Sequence, residues 1–409
     1  MRAKEFPMLQ KKVHGKPFIY LDSAATTQKP QSVIDAITRF YAEEYATVHR
    51  AIYDTAAHAT EQYNNVRKQV QQFLNAEGSE EIIFTKGTTE AINLVASSFG
   101  RAFVRRDDEI IISEMEHHSN IVPWQILCEQ TGAHLKIIPI DDSGQLILEA
   151  FEKLLTDRTK LVSIAHVTNT TGTINPIKQM AGLAHAKGAK IFVDGAQSAS
   201  HMMVDVQELD IDFYAFSGHK AYGPTGIGVL YGKRELLEKM PPYQGGGDMI
   251  EQVTLAATTY QKPPLRFEAG TPLIAEVMGL GAALTFIESI GRNQIAAWEQ
   301  SLLEHATKNL LEIPGLKMIG TAPEKGAIVT FVIKGIHPLD IATLLDARGI
   351  AVRTGHLCAQ PTMRRFGLTS ATRLSIGIYN TIEEIDFFVA SLKEILKNLG
   401  REAEILSEV

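Results

Sequence analysis

Cysteine is nearly missing from this chain: Cys128 and Cys358 are the two in 409 residues. Two thiols so far apart exclude a disulfide framework and point to a reducing compartment. A basic surplus is missing as well. Forty Lys and Arg against 47 Asp and Glu leave a net charge of −7 at pH 7, so nothing resembles a nucleic-acid footprint. Long hydrophobic runs are also absent. The most apolar stretch, Leu273 to Ile287, is interrupted by Glu276 and is too short to span a bilayer. Met1 to Gln10 mixes Arg2, Lys4 and Glu5 with short apolar runs and does not read as a signal peptide. The expectation is a cytoplasmic protein without a membrane or nucleic-acid partner, in which the sequon Asn169-Thr170-Thr171 is chance.

What is present is ordinary globular composition, 45% apolar and 21% charged, in a chain too long for one small core. From Phe18 to Gly232, short β-rich runs alternate with amphipathic stretches. Phe18 to Leu21, Ile82 to Thr85, Glu109 to Ser113, Leu135 to Pro139, Leu161 to His166, Lys190 to Val193, Asp212 to Phe216 and Gly228 to Tyr231 read as strands. The helices between them include Pro30 to Tyr45, with Val33, Ile34, Ile37 and Tyr41 on one face, and Thr88 to Phe99. This alternation predicts an α/β fold with a mostly parallel sheet covered by helices. A Pro/Gly-rich loop at Pro241 to Gly247 precedes a long helix, then short strands at Ala327 to Val332 and Thr372 to Ile378. Helices at Pro338 to Ala347 and Ile382 to Leu399 complete a smaller α+β C-terminal domain.

In an open parallel sheet, ligands gather at the carboxyl ends of strands, so the residues after each strand matter most. After Ile82 to Thr85 comes Lys86-Gly87-Thr88-Thr89-Glu90. A glycine and two hydroxyls at a helix start suit an anion, although Thr88 as a plain helix cap is the simpler explanation of that segment alone. After Glu109 to Ser113 comes Glu116-His117-His118. Adjacent histidine side chains diverge, which disfavours a metal site, so no metal is expected; an imidazole laid over a flat ligand is the functional alternative. Asp194 ends one apolar strand, where a buried carboxylate calls for a cationic partner. Ser217-Gly218-His219-Lys220 ends the next, and a lysine held there is a candidate Schiff-base amine. Pyridoxal phosphate reconciles all four signals, since it needs a lysine, a carboxylate at its ring nitrogen, a phosphate cradle and a stacked ring.

With these residues in place, the sequence resembles the SUF-type (group II) cysteine desulfurases, fold-type I pyridoxal-phosphate enzymes of the class V aminotransferase superfamily. The resemblance rests on Glu116-His117-His118, Asp194-Gly195-Ala196-Gln197, Ser217-Gly218-His219-Lys220, Arg266 to Pro272 and Arg353 to Ala359, over nearly the whole chain. It implies that Lys220 carries the cofactor, Asp194 meets its ring nitrogen, Gln197 its phenolic oxygen and His117 its face. Thr88, Thr89, Ser217 and His219 would hold the phosphate, with Thr271 arriving from the second subunit of a homodimer. Arg373 would grip the substrate carboxylate with help from Asn169, Arg353 would also bind substrate, and His49 would line the entrance. It also implies an N-terminal segment (1–20) packed on the small domain, a cofactor domain (21–265) and a small domain (266–409) carrying the catalytic cysteine loop.

Cys358 lies in Gly-His-Leu-Cys-Ala-Gln-Pro, which is not a core pattern, whereas Cys128 sits in an apolar helical stretch and reads as structural. Arg353 and His356 stand close to Cys358, and positive charge near a thiol favours its nucleophilic form. The family usually has a second histidine where this chain has Leu357. By the resemblance, Lys220 takes the Cα proton of L-cysteine and the Cys358 thiolate attacks the substrate sulfur. Alanine and a persulfide on Cys358 result, with His117 handling the substrate thiol proton. The sulfur would pass to a SUF-type acceptor protein for iron–sulfur cluster assembly. A selenocysteine lyase acting on L-selenocysteine, another class V aminotransferase or lyase, and a non-catalytic sulfur-carrier scaffold are the alternatives.

Overall fold

The computed structural model describes residues 3–400; residues 1–2 and 401–409, at the outer ends of the two terminal segments assigned above, lie outside the described residues. Seven strands form one sheet: β1 (Ile82–Thr85), β2 (Glu109–Ser113), β3 (His134–Ile138), β4 (Thr159–Ala165), β5 (Lys190–Asp194), β6 (Phe213–Ser217) and β7 (Gly228–Gly232). Their order is β1-β7-β6-β5-β4-β2-β3. Only β7 runs against its neighbours; the other pairings are parallel. Strands β1, β2, β6 and β7 are buried at every position, as continuous apolar runs covered on both faces must be.

Alternation along β2 shows the two faces directly. Ile110 and Ile112 pack with Ile92 and Val95 of the helix Thr88–Phe103 and with Trp124 and Leu127 of the helix Val122–Thr131. Ile111 points the other way, into a core shared by the helices Asp54–Leu74, Ile177–Ala186 and Ile274–Ile290. Cys128 is buried on the first of these faces.

A second, antiparallel sheet is built from β8 (Leu316–Ile319), β9 (Ile328–Ile333), β10 (Arg353–Gly355) and β11 (Ala371–Ser375), in the order β8-β9-β11-β10. The helices Arg292–Leu311, Pro338–Asp346 and Ile382–Asn398 back it through a third core that includes Leu302, Phe331, Leu345 and Phe388. The N-terminal Ile19–Tyr20 pairs in parallel with Ile350–Ala351, so Ile19 and Leu21 join that core. Upstream, Phe6 packs edge-on against Phe286 and Tyr379, with ring centroids 5.6 and 4.9 Å apart.

Two local expectations change. The helix expected from Pro30 to Tyr45 is α-helical over Gln31–Arg39 and continues as a wider π turn over Phe40–Glu44. It buries Val33 and Phe40 and leaves Ile34 and Tyr41 exposed. The stripe facing the helix Ile274–Ile290 decides which apolar residues are covered, and it is narrower than the apolar pattern. The 21-residue helix Asp54–Leu74 was not evident from the sequence. Its buried stripe runs through Ala56, Ala59, Tyr63, Val66 and Val70, small or polar-edged residues set in a hydrophilic segment. No single helix among the described residues is long and apolar enough to cross a membrane.

Candidate active site

The carboxyl ends of β1, β2, β4, β5 and β6 share one edge of the sheet, because β1 and β6 are both antiparallel to β7 and so parallel to each other. Of the residues singled out from the sequence, all but Thr271 and His49 line one cavity of about 240 Å³ at that edge. Lys220 ends the short 3-10 turn Gly218–Lys220 that follows β6. Burial lowers its pKa, opposed by the charge of Asp194 and reinforced by that of Arg373.

Asp194, the last residue of β5, is buried, and its Oδ1 accepts from Ala196 N–H at 2.9 Å. Among the described residues its Oδ2 receives no hydrogen bond. Burial raises its pKa, with the backbone bond and the Lys220 charge acting the other way. Gln197 is held by Nε2 donating to the Ala24 carbonyl at 2.7 Å.

The anion cradle takes shape at the start of the helix Thr88–Phe103. Its N-cap is Gly87 and no side chain caps it, so Thr88 does not play the capping role. Instead Ser217 Oγ, from the end of β6, accepts from Thr88 N–H at 2.9 Å and lies 2.9 Å from Thr88 Oγ1. Glycine at 87 and 228 permits this approach. A Cβ on Gly228 would lie 2.4 Å from Gly87 Cα, and Gly87 itself has φ of 153°. Thr89 Oγ1 sits 2.7 Å from Ser119 Oγ. The His219 carbonyl accepts from Thr27 N–H at 3.0 Å and from Lys29 Nζ at 2.8 Å, locking the lysine turn to the N-terminal loop.

His117 follows β2 in a turn anchored by buried Glu116, whose carboxylate accepts from Ser113 Oγ and Asn120 Nδ2 at 2.6 Å each and from Ala165 N–H at 2.9 Å. Burial, then the Lys220 and His118 charges, push the His117 pKa down to about 3. The ring is neutral at pH 7. Since Ser119 N–H donates to its Nδ1 at 3.1 Å, the proton resides on Nε2.

Opposite the lysine, Arg373 of β11 is buried. Its Nη1 donates to the Asn169 carbonyl at 2.8 Å and its Nη2 to Asp22 Oδ1 at 3.0 Å, while Nε has no partner among the described residues. Cys358 lies on the loop after β10, and Leu357 and Cys358 both adopt φ of 55°. Two successive non-glycine residues in the left-handed region cost about 1–2 kcal/mol each, so the loop must be tied down. His118 N–H donates to the Cys358 carbonyl at 2.8 Å, Asn169 Nδ2 to the Leu357 carbonyl at 2.7 Å, and Cys358 N–H to His356 Nδ1 at 3.1 Å. Leu357 is buried and lines the cavity.

Thr271 belongs to a different cavity, with Tyr63, Phe84 and Glu268, and the His49 ring packs on Tyr63 at 5.4 Å. Sequence reasoning missed Asp22, which holds Arg373 and stands 3.9 Å from Arg353, and Ser119, which serves both His117 and Thr89. Asp22 directly follows the first strand, so attention to strand ends, the signal that found Asp194, extends to it.

The residues fit pyridoxal phosphate. A lysine amine, a buried carboxylate with one oxygen unclaimed among the described residues, a helix start ringed by hydroxyls and a neutral imidazole surround one cavity. The comparisons agree. The aminotransferase class-V family model matches residues 19–388. A cysteine desulfurase of Synechococcus elongatus is 53% identical over 392 residues, 96% of this chain and 63% of that protein. The chain thus spans less than two thirds of the length of that relative. A cysteine desulfurase of Salmonella agona is 51% identical over 397 residues, 97% of this chain and 98% of that protein. The crystal structure of a cysteine desulfurase from Escherichia coli superposes with a TM-score of 0.90 at 40% identity, over 97% of each chain. The chain belongs to the class-V aminotransferase family, whose cofactor is pyridoxal phosphate.

Proposed function

We propose that the protein is a cysteine desulfurase that converts L-cysteine to L-alanine and keeps the sulfur as a persulfide on Cys358. The observation that carries this reading is that Cys358, on its strained and anchored loop, shares one cavity with Lys220 and Asp194. An aminotransferase has no use for such a thiol. When bound, pyridoxal phosphate supplies an electron sink for the substrate Cα.

Lys220 would hold the cofactor through its amine and would serve as the base at the substrate Cα. Asp194 would pair with the ring nitrogen and Gln197 with the phenolic oxygen, with His117 over the ring. Thr88, Thr89, Ser217 and His219 would hold the phosphate. The unpaired Arg373 Nε supports a role in gripping the substrate carboxylate, with Arg353 at the mouth. His117 would handle the substrate thiol proton; as a neutral ring with its proton on Nε2, it would first offer the substrate a hydrogen bond from that atom. Net, the C–S bond of cysteine breaks, an S–S bond forms at Cys358 Sγ, and hydrogen replaces sulfur on the β-carbon.

The division at residues 20/21 and 265/266 and a cytoplasmic setting belong to the same reading. So does a homodimer that brings Thr271 of a second copy to this pocket. Exposed Ile34, Tyr41, Tyr45, Ile52 and Tyr53 support an apolar face for that copy. The persulfide would pass to a SUF-type acceptor protein for iron–sulfur cluster assembly.

The test is to incubate the purified holoprotein with L-cysteine and a thiol reductant and to quantify alanine and sulfide together. Equal amounts, lost in Lys220→Ala and in Cys358→Ala, are expected. Alanine without sulfide, or native turnover by Cys358→Ala, would sink the reading.

A further inference from the structure

Two histidines and the pocket cysteine converge where the sequence showed only neighbours that diverge. His118, His356 and Cys358 each offer one ligand atom, and the three atoms lie within 4.8 Å of one another. They come from two loops, His118 from the turn after β2 and the other two from the turn after β10. Backbone bonds join these loops. His118 N–H donates to the Cys358 carbonyl at 2.8 Å, and Gln360 N–H donates to His118 Nε2 at 3.1 Å. The two imidazole centroids are 5.4 Å apart with the ring planes inclined by 36°. The reaction proposed above has neither ring touch substrate or cofactor.

We infer that His118, His356 and Cys358 form a binding site for a thiophilic divalent cation of the zinc type. Two imidazoles and a thiolate select Zn²⁺, or its substitutes Co²⁺ and Cd²⁺, over the oxygen-seeking Mg²⁺ and Ca²⁺. A tetrahedral zinc with bonds of about 2.0–2.1 Å to nitrogen and about 2.3 Å to sulfur holds such atoms roughly 3.3–3.6 Å apart, so the cluster closes by movements of about 1 Å. His356 is exposed, which leaves its ring room to turn. Closure gives up two hydrogen bonds of 3.1 Å, from Cys358 N–H to His356 and from Gln360 N–H to His118. Three metal bonds replace them. As the sulfur–metal bond forms, the thiol releases its proton to solvent and no electron changes hands. Three protein ligands leave a fourth position for water or an incoming thiol. The cation is therefore a reversible cap on Cys358. That it would halt sulfur transfer rests on the desulfurase reading; that it binds does not.

The experiment titrates chelator-treated holoprotein with Co²⁺ and then Zn²⁺. One Co²⁺ per chain should give tetrahedral ligand-field bands and a thiolate charge-transfer band, both erased by Zn²⁺. Cys358→Ser should abolish the charge-transfer band and Cys128→Ser should leave it intact. Removing even a partner outside the ligand set weakens metal sites about 10–100-fold, so His118→Ala and His356→Ala should each weaken binding at least about tenfold. His356 is exposed, and in its variant the bonds from His118 N–H and Asn169 Nδ2 still hold the cysteine loop, so the test stays decisive. Zn²⁺ should also shield Cys358 from alkylation until a chelator is added. A charge-transfer band that survives Cys358→Ser, one that vanishes in Cys128→Ser, no saturable binding, or alkylation indifferent to Zn²⁺ would overturn the site. Alanine formation in metal-free buffer is scored separately. A protein that binds Co²⁺ at Cys358 yet makes no alanine keeps the metal site and loses the desulfurase reading.

Discussion

Asn169 Nδ2 donates to the Leu357 carbonyl at 2.7 Å while the Asn169 carbonyl accepts from Arg373 Nη1 at 2.8 Å. One residue thereby fixes the cysteine loop and the buried guanidinium relative to each other. Asn169→Ala removes only the side-chain half of this link, the half that steadies two left-handed residues. The lost bond is worth about 0.5–1.5 kcal/mol, to be read from urea unfolding. Persulfide formation, followed by mass spectrometry after mixing with L-cysteine, should slow well beyond any change in KM. An unchanged rate would mean that the loop is held by its other contacts.

Arg373→Lys should raise KM for L-cysteine. A lysine cannot bridge Asn169 and Asp22 and still present a free N–H as Arg373 Nε does. One lost bond to a charged group is worth about 1.5–3 kcal/mol, or roughly 10–100-fold in kcat/KM. Steady-state kinetics on cofactor-saturated protein measure it, and wild-type KM in this variant would remove Arg373 from the substrate carboxylate.

Glu268 accepts from Arg67 Nη1 at 2.7 Å and Nη2 at 2.8 Å, and from Phe84 N–H at 2.7 Å, tying the helix Asp54–Leu74 to β1 beside the Thr271 segment. Both side chains are only 6% exposed. Glu268→Gln strands a buried guanidinium and should cost about 3–5 kcal/mol of stability. Denaturant titration would show it as a lower midpoint with little change in slope.

Asp212 carries a pH signature. His185 Nε2 lies 2.6 Å from its Oδ2, Ile191 N–H donates to the same oxygen at 2.8 Å, and Lys190 stands 3.4 Å from Oδ1. The Asp212 hydrogen bond raises the His185 pKa. Burial works against the Asp212 charge, but the His185 and backbone bonds hold its pKa below the usual carboxylate range. The carboxylate's contribution is present above its ordinary pKa and is lost as pH falls through the lowered one. The imidazole's is full below its ordinary pKa and is lost as pH rises through the raised one. Their sum peaks between roughly pH 4 and 6.5. Stability measured from below pH 4 to above pH 6.5 should lose this maximum in Asp212→Asn, and an unaltered profile would locate the pH dependence elsewhere.

Much was legible in the residues themselves. Continuous apolar runs such as Ile82 to Phe84 and Ile191 to Val193 become buried parallel strands, because a strand covered on both faces has no polar side to show. Lys220, Asp194, Ser217 and Thr88 were found because a parallel sheet gathers its strand ends at one edge. The helix Asp54–Leu74 escaped, since its buried stripe mixes alanines, Tyr63 and Arg67 with few aliphatic residues in a hydrophilic segment and so carries little hydrophobic contrast.

Sequence by itself determined the strand–helix alternation and the chemistry at each strand end, both set by side-chain patterns a few residues long. Only the tertiary structure decided that Asp22 holds Arg373, that Asn169 latches the cysteine loop and that His118 meets His356 and Cys358. Those pairs join residues far apart in the chain. Their meeting depends on how the second sheet seats β10 and β11 against the edge of the first, which no local pattern specifies.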